Sequence, residues 1–157
     1  MKKAIIGIDP GVSGGIAIWK EEIVEAINMP KTITDIFNVF TSTSLSGYLI
    51  YVFIEKVHSM PKQGVASSFK FGQAFGRLEA FTVAMRFRTQ YVTPQAWTRW
   101  YSLGTRGKMS PAMWKNKLKE KAQQLYPDSN VTRENADSVL IMHYGLRQIK
   151  ESEGIEL

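Results

Sequence analysis

The chain has 157 residues, of which 44% are hydrophobic and 22% charged, and 20 basic against 14 acidic residues give a formal net charge of +6. This length favours one domain over residues 1–157, and the basic excess favours a polyanionic partner such as nucleic acid. The absence of cysteine excludes a disulfide framework and a thiolate zinc site, and suits a reducing cytoplasm. Because no apolar run is long enough for a membrane span or a signal peptide, we expect a soluble protein with no membrane partner.

The first half of the chain predicts four strands and one helix. Residues 4–9 form an apolar strand that a Pro-Gly turn ends, and 15–19 and 23–29 complete an antiparallel meander. Residues 33–41 carry apolar side chains at helical spacing. Residues 49–55 are a continuous apolar run, which is typical of a strand in the centre of a sheet.

The second half of the chain predicts one more strand among helices and loops. These are a loop at 57–66, a helix at 67–86, a strand at 88–93, a helix at 94–101, a basic loop at 104–108, and helices at 111–126 and 134–150. The order predicts a mixed five-stranded α/β sheet flanked by helices, with three antiparallel strands followed by parallel ones. The helix at 67–86 has apolar residues on more than one face, which suits either an all-core helix or one that also contacts a partner.

Four acidic residues stand where buried elements end or begin. Asp9 ends the first strand, Glu55 ends the fourth, and Glu134 and Asp137 are spaced i, i+3 at the start of the last helix. A carboxylate beside a core is costly unless a cation pairs with it, and oxygen ligands suit Mg²⁺. If the two strands are parallel neighbours, Asp9 and Glu55 meet at one sheet edge. The four acids together therefore predict a metal site that could hold a phosphodiester for hydrolysis, with Asp9 bridging two ions.

Each acid taken alone has an ordinary explanation. Asp9 precedes a Pro-Gly turn, Glu55 could be a polar strand end, and Glu134 could stabilise a helix through its dipole. Asp137 precedes an apolar run and is harder to explain in this way. His143 lies about 240° around the helix from Asp137 at roughly 100° per residue, so we expect a structural role for it.

Basic and aromatic residues are interleaved from Trp97 to Lys121, and phosphate contacts from such residues supply most of the affinity for nucleic acid. An alternative for residues 115–121 is a solvated helix face. The candidate DNA-binding residues, which include two after the fourth strand, are Lys56, Lys62, Arg99, Arg106, Lys108 and Lys115.

The ordered set of motifs resembles the RuvC-type Holliday-junction resolvases over residues 4–147. The motifs are Gly7-Ile8-Asp9-Pro10-Gly11, Ile54-Glu55-Lys56-Val57, Phe71-Gly72-Gln73 with Gly76-Arg77, and Ala136-Asp137-Ser138. Residues 55–61 and 92–97 are similar to the bacteriophage branch of that family. The resemblance implies an RNase H-like fold, a homodimer, Mg²⁺ with Mn²⁺ as a substitute, and paired symmetric nicks in four-way DNA junctions that leave 5′-phosphates. A phage-encoded member would act in the host bacterial cytoplasm.

The resemblance also assigns roles to individual residues. Asp9, Glu55, Glu134 and Asp137 fall on the family's four catalytic, metal-binding acids, and Glu134 replaces the more familiar aspartate. His58 stands where the family often has a phenylalanine that wedges into the junction, so it joins the candidate DNA-binding residues. Because histidine is the weaker wedge, a relaxed nuclease that also cuts forks and flaps is an alternative, and so is a non-catalytic junction-binding protein. The basic region argues against RNase H itself, and the chain length argues against an actin-like ATPase.

Overall fold

A computed structural model describes residues 2–43, 47–56 and 64–154. Five strands form one sheet in the order β3-β2-β1-β4-β5. In chain order the strands are β1 Lys2–Asp9, β2 Gly15–Lys20, β3 Ile23–Asn28, β4 Tyr48–Glu55 and β5 Arg88–Val92. The helices are α1 Ile33–Thr43, α2 Val65–Ala84, α3 Pro94–Trp100, α4 Pro111–Leu125 and α5 Ala136–Ser152.

The pairing of β1 brings the first two acids to the same edge of the sheet. β1 is antiparallel to β2, and it is parallel to β4 with Ile8 opposite Ile54. Asp9 and Glu55 are the next residues on the two strands, so both lie at the carboxyl edge. β5 adds a further parallel strand beside β4. The predicted mixed sheet, with antiparallel strands first and parallel strands after them, is therefore confirmed.

Both faces of the sheet are covered, which explains why β1 and β4 are apolar without alternation. On one face, Ile6, Ile8 and Val52 pack with Phe40 of α1 and Leu78 of α2. The other face packs against α4 and α5, and its buried cluster contains, among others, Ile5, Phe53, Leu118, Ala122, Val139 and Leu140.

Helix α5 lies unusually close to β1 because of Gly7. A Cβ added to Gly7 would fall 2.3 Å from both the Met142 nitrogen and the Ser138 carbonyl oxygen. Any larger residue would push the helix and the strand apart. The close approach holds the first turn of α5 over the end of β1, where Asp9 stands.

Two helices start at residues other than the predicted ones. α2 begins at Val65, inside the predicted loop, and α5 begins at Ala136 instead of residue 134. The later start of α5 has a local cause, since residues 132–135 fold into a turn. In that turn the Thr132 N–H donates to Asn135 Oδ1 over 2.8 Å and the Asn135 N–H donates to Thr132 Oγ1 over 3.2 Å.

The all-core alternative for α2 is wrong. Leu78 and Thr82 are buried against the sheet, but Val65, Phe69 and Val83 are between 71% and 88% exposed on the opposite side. In the parts of the chain that the structure describes, no helix is both long and apolar enough to cross a membrane.

Candidate active site

Asp9 and Glu55 end adjacent parallel strands, and both side chains are largely shielded from solvent. The Asp9 side chain is 15% exposed, and Glu55 is 7% exposed. The Gly11 N–H donates to the Asp9 carboxylate. Gly14 leaves room for Asp9, because a Cβ at Gly14 would lie 2.2 Å from the Asp9 carbonyl oxygen. The Pro-Gly turn therefore has a positioning role for Asp9, in addition to ending the strand.

Asp137 reaches the same edge from the first turn of α5. Its side chain is 12% exposed, and within the described residues its buried Oδ1 has no hydrogen-bond partner. A buried carboxylate oxygen without a partner is costly, so it marks a place where a ligand would be favourable.

One cation in the described structure is paired with this cluster. Lys115 of α4 places its Nζ 2.6 Å from Asp137 Oδ2 and 4.0 Å from Asp9 Oδ2. Lys115 precedes the buried Leu118 and Ala122 by three and seven residues, so it lies on the inward face of α4. The ammonium group is thus directed between the two aspartates.

Trp97 orients the third carboxylate. It is a buried residue of α3, and its Nε1–H donates to Glu55 Oε2 over 2.7 Å. The position of Trp97 follows from the start of α3, where Thr93 Oγ1 accepts from the Ala96 N–H and Pro94 occupies the first turn. The helix therefore turns the indole toward the end of β4.

The environment raises the pKa of all three carboxyl groups. Burial and the nearby Asp137 raise the pKa of Asp9 to about 6, and burial together with Asp9 raises that of Glu55 to about 8. Burial also raises the pKa of Asp137, although the ammonium of Lys115 opposes this shift. Acids that resist ionisation until a positive charge arrives are typical of metal or catalytic sites.

Glu134 does not join this cluster. It is exposed in the turn before α5, where it lines a hollow of about 260 Å³ together with Lys115, Ser13 and Arg133. Because α5 starts two residues after Glu134, the expected projection of Glu134 and Asp137 from one helix face is absent. Its role as a metal ligand stays a prediction.

Solved structures of other proteins share this fold. No protein-family model and no curated protein matches the sequence. A Thermus thermophilus RuvC structure superposes with a TM-score of 0.59 and 13% identity, covering 97% of both chains. A structure of T. thermophilus RuvC in complex with Holliday junction substrate superposes with the same score, identity and coverage. The chain has the RuvC fold. This architecture is the one that the motifs predicted.

The candidate DNA-binding residues of this RuvC fold differ in how they are placed relative to the acids. Arg106 lines a cleft of about 300 Å³ together with Glu55, Trp114 and Asp137. Arg99 lines an adjoining hollow, and Lys56 and Lys108 are exposed. Lys115 points into the acids. His58 and Lys62 lie outside the described residues.

The donor set fits a hard divalent cation, although the side chains do not form a completed site. Within residues 2–43, 47–56 and 64–154, no group of three or more acidic or histidine side chains is close enough to hold an ion as the side chains stand. Three features favour a cation nonetheless: the unpartnered Asp137 Oδ1, the raised pKa values, and an ammonium already located between two of the acids. Asp9, Glu55 and Asp137 would hold the ion with oxygen ligands alone, which suits Mg²⁺.

Two features of the site were not anticipated from the sequence. The hydrogen bond from Trp97 to Glu55 joins residues far apart in the chain, and no local pattern signals it. The inward direction of Lys115 did have a signal, because Leu118 and Ala122 mark the buried stripe of α4.

Proposed function

We propose that this chain is a Mg²⁺-dependent, structure-selective DNA endonuclease that resolves four-way junctions. The observation that carries the proposal is the convergence of Asp9, Glu55 and Asp137, all shielded from solvent and all with raised pKa values, at one edge of a RuvC fold. One of the RuvC structures that this chain resembles is a complex with a Holliday junction substrate. The stretches 55–61 and 92–97 further support a place in the bacteriophage branch of the family.

When bound, the metal would activate water and neutralise charge on the scissile phosphate, with Mn²⁺ able to replace Mg²⁺. The chain's own groups prepare the position. Asp9 and Glu55 are fixed by two adjacent strands, and Asp137 is fixed by the contact of α5 with β1. Trp97 restricts the orientation of Glu55 through its hydrogen bond. Such preorganisation lowers the cost of aligning the phosphodiester with the attacking water.

Basic residues beside the acids supply the contacts to DNA. Arg106 lies in the cleft that Glu55 and Asp137 line, and Arg99 extends the positive surface along α3. Lys56 directly follows Glu55 and is exposed. These groups would bind phosphates on either side of the cut, which provides affinity without reading base sequence. An enzyme that recognises the shape of a junction needs contacts of this kind.

A homodimer would supply the two active sites that a symmetric pair of nicks requires. The outer side of α2 offers a surface for it, defined by the exposed residues Val65, Phe69, Gly72, Gly76, Ala80 and Val83. They recur at three- or four-residue spacing, and small residues in the middle allow close approach of a second helix. We expect Phe69→Asp to shift sedimentation toward the monomer. The control, Ile23→Asp, changes an exposed apolar residue on the edge strand β3 and should leave sedimentation unchanged.

The decisive experiment is to measure nicking of a mobile four-way junction with and without Mg²⁺ and to map the products to the nucleotide. Symmetric nicks with 5′-phosphates are expected with Mg²⁺ and none with EDTA. Three-way and flap substrates, tested at equal concentration, measure selectivity. Equal rates on all substrates would replace resolution by relaxed cleavage of branched DNA.

Asp9→Asn separates catalysis from binding. We expect it to remove nicking while leaving junction affinity the same or higher, because a negative charge near the phosphates is lost. If wild-type protein binds junctions but neither Mg²⁺ nor Mn²⁺ produces a nick, the chain is a non-catalytic junction-binding protein and the proposal is wrong.

A further inference from the structure

Lys115 is located where a metal ion would be needed. Its Nζ lies 2.6 Å from Asp137 Oδ2 and 4.0 Å from Asp9 Oδ2, and the lysine side chain is 35% exposed. The contact with Asp137 is a charge-assisted hydrogen bond of the strong kind. Residues that serve only to bind DNA phosphates would be expected to extend into solvent, but this one turns toward the acids.

The ammonium and a metal ion compete for the same oxygen atom. Mg²⁺ binds its oxygen ligands at about 2.0–2.1 Å, so an ion on Asp137 Oδ2 would meet an ammonium 2.6 Å from that atom. Two positive charges on one carboxylate oxygen repel each other, so a divalent ion bound there would weaken the hydrogen bond of the lysine. The two cations therefore compete for this oxygen.

One ammonium neutralises the cluster only in part. Three carboxylates face a single positive charge, and Asp137 Oδ1 has no partner in the described residues. A divalent ion would supply twice the charge and more ligand positions than the lysine. The lysine thus stabilises the empty site without filling it.

The structure also contains a place for the displaced lysine. Lys115 itself lines an open hollow of about 260 Å³, together with Glu134 and Ser13. The four-carbon stem of lysine is flexible enough to move its head group between neighbouring positions. The exposed carboxylate of Glu134 can replace Asp137 there as the partner of the lysine.

We propose that Lys115 is an exchangeable cation of the candidate active site, which pairs with Asp137 in the metal-free protein and moves toward the hollow beside Glu134 when a divalent metal binds. This inference rests on the proposed metal-dependent function and deepens it, because it names the group that sets the metal affinity. The exchange keeps the acids from repelling one another before the metal arrives. It also releases a positive charge at the edge of the site, where a phosphate would lie.

The test is to measure Mg²⁺ binding by titration calorimetry for wild type, Lys115→Met and Lys119→Met. Methionine keeps most of the length of the side chain and removes the competing charge. Since the competing charged hydrogen bond is lost, Lys115→Met should bind Mg²⁺ about 10-fold more tightly or better. Lys119→Met removes the same charge from the same helix and should change the affinity little. Equal or weaker binding by Lys115→Met would overturn the proposal.

A second measurement follows the lysine itself in the wild-type protein. Acylation of amines, read by mass spectrometry, should label Lys115 slowly in EDTA and faster with Mg²⁺, while labelling of Lys119 stays constant. Unchanged labelling of Lys115 across saturating Mg²⁺ would also overturn the exchange. If the exchange fails while Mg²⁺-dependent nicking persists, the nuclease function stands alone. If wild type neither binds Mg²⁺ nor nicks junctions, the proposed function and the exchange are both wrong.

Discussion

Helix α5 has buried ionisable groups in opposite states at its N-terminal end and in its middle. In the middle of the helix, His143 Nδ1 lies 2.5 Å from Tyr126 Oη, and burial lowers the pKa of His143 to about 4. At the N-terminal end, Asp137 is buried beside two more acids and keeps one oxygen without a partner in the described residues. The middle has a neutral hydrogen-bonded pair, and the N-terminal end has negative charge that a single lysine offsets in part.

This difference separates a structural polar cluster from the candidate active site. Tyr101 Oη donates to the Leu140 carbonyl oxygen over 2.6 Å, and the ring of Trp100 lies against His143 and under the Arg147 guanidinium. The predicted structural role of His143 is confirmed by this aromatic packing. Arg147 Nε is buried without a partner in the described residues, but its guanidinium faces an aromatic ring. The acids beside the N-terminal end of α5 gain most from a ligand, which supports this cluster as the candidate active site.

The largest effect is expected from neutralising an acid at the N-terminal end. Glu55→Gln should lower junction nicking at least about 100-fold, the scale of losing one electrostatic catalytic group. In EDTA it should also raise the midpoint of urea unfolding at pH 8, because burial and Asp9 make the ionised Glu55 unfavourable in the fold. Glu25→Gln on the exposed side of β3 is the matched control and should change neither quantity. A less stable Glu55→Gln protein would contradict the view that this end stores unfavourable charge.

The same comparison shows what the sequence could predict. Asp9 and Glu55 were predictable because each ends a continuous apolar run, and parallel pairing of such runs places their ends together. Asp137 was predictable because it precedes a buried stretch of α5. The displaced start of α5 was not, since reciprocal hydrogen bonds between Thr132 and Asn135 decide it. Helical periodicity does not report such side-chain contacts.

Contacts across the fold set a second limit. The hydrogen bond between Trp97 and Glu55 requires α3 to lie over the end of β4, and the contact of Lys115 with Asp137 requires α4 to pack on α5. Sequence patterns indicated that these helices exist and which faces are buried. They did not fix which partner each face meets, because that depends on the packing of the whole domain.

Trp97→Phe removes one hydrogen bond from the candidate active site. The ring is kept, but Glu55 Oε2 loses its donor. Partners that orient metal ligands typically account for about 10–100-fold in metal affinity or activity, so we expect a loss in that range. Trp100→Phe, at a residue that is 38% exposed, is the control. Unchanged Mg²⁺ affinity and nicking in Trp97→Phe would show that the orientation of Glu55 does not matter.

Tyr126→Phe is the corresponding change in the structural cluster around His143. It removes the hydroxyl that pairs with His143 and should cost about 0.5–1.5 kcal/mol in the free energy of unfolding, as expected for one hydrogen bond. Nicking and Mg²⁺ affinity should stay at the wild-type level, because the change is remote from the acids along α5. A drop in activity without a drop in stability would mean that the middle of α5 is coupled to the acids at its N-terminal end.

The last effect is the pH dependence that His143 adds. Burial comes first among the causes that lower its pKa from 6.5 to about 4, and the positive charges of Arg147, Lys121 and Lys150 add to it. The unfolded chain therefore binds a proton that the folded chain resists between pH 6.5 and 4. The stability that neutral His143 contributes is complete above pH 6.5 and is lost as the pH falls toward 4.

The acids beside the N-terminal end of α5 change the stability with pH in the opposite direction. Their raised pKa values make the fold less stable as the pH rises. Subtracting the urea unfolding free energies of His143→Gln from those of wild type, measured in EDTA, cancels that contribution, since both proteins keep the same acids. The difference should decline below pH 6.5 by at most about 1.4 kcal/mol per pH unit, the limit for one proton. A flat difference from pH 7 to 4.5 would mean that the pKa of His143 is not lowered by folding, and His143 would then no longer contrast with the acids at the N-terminal end of α5.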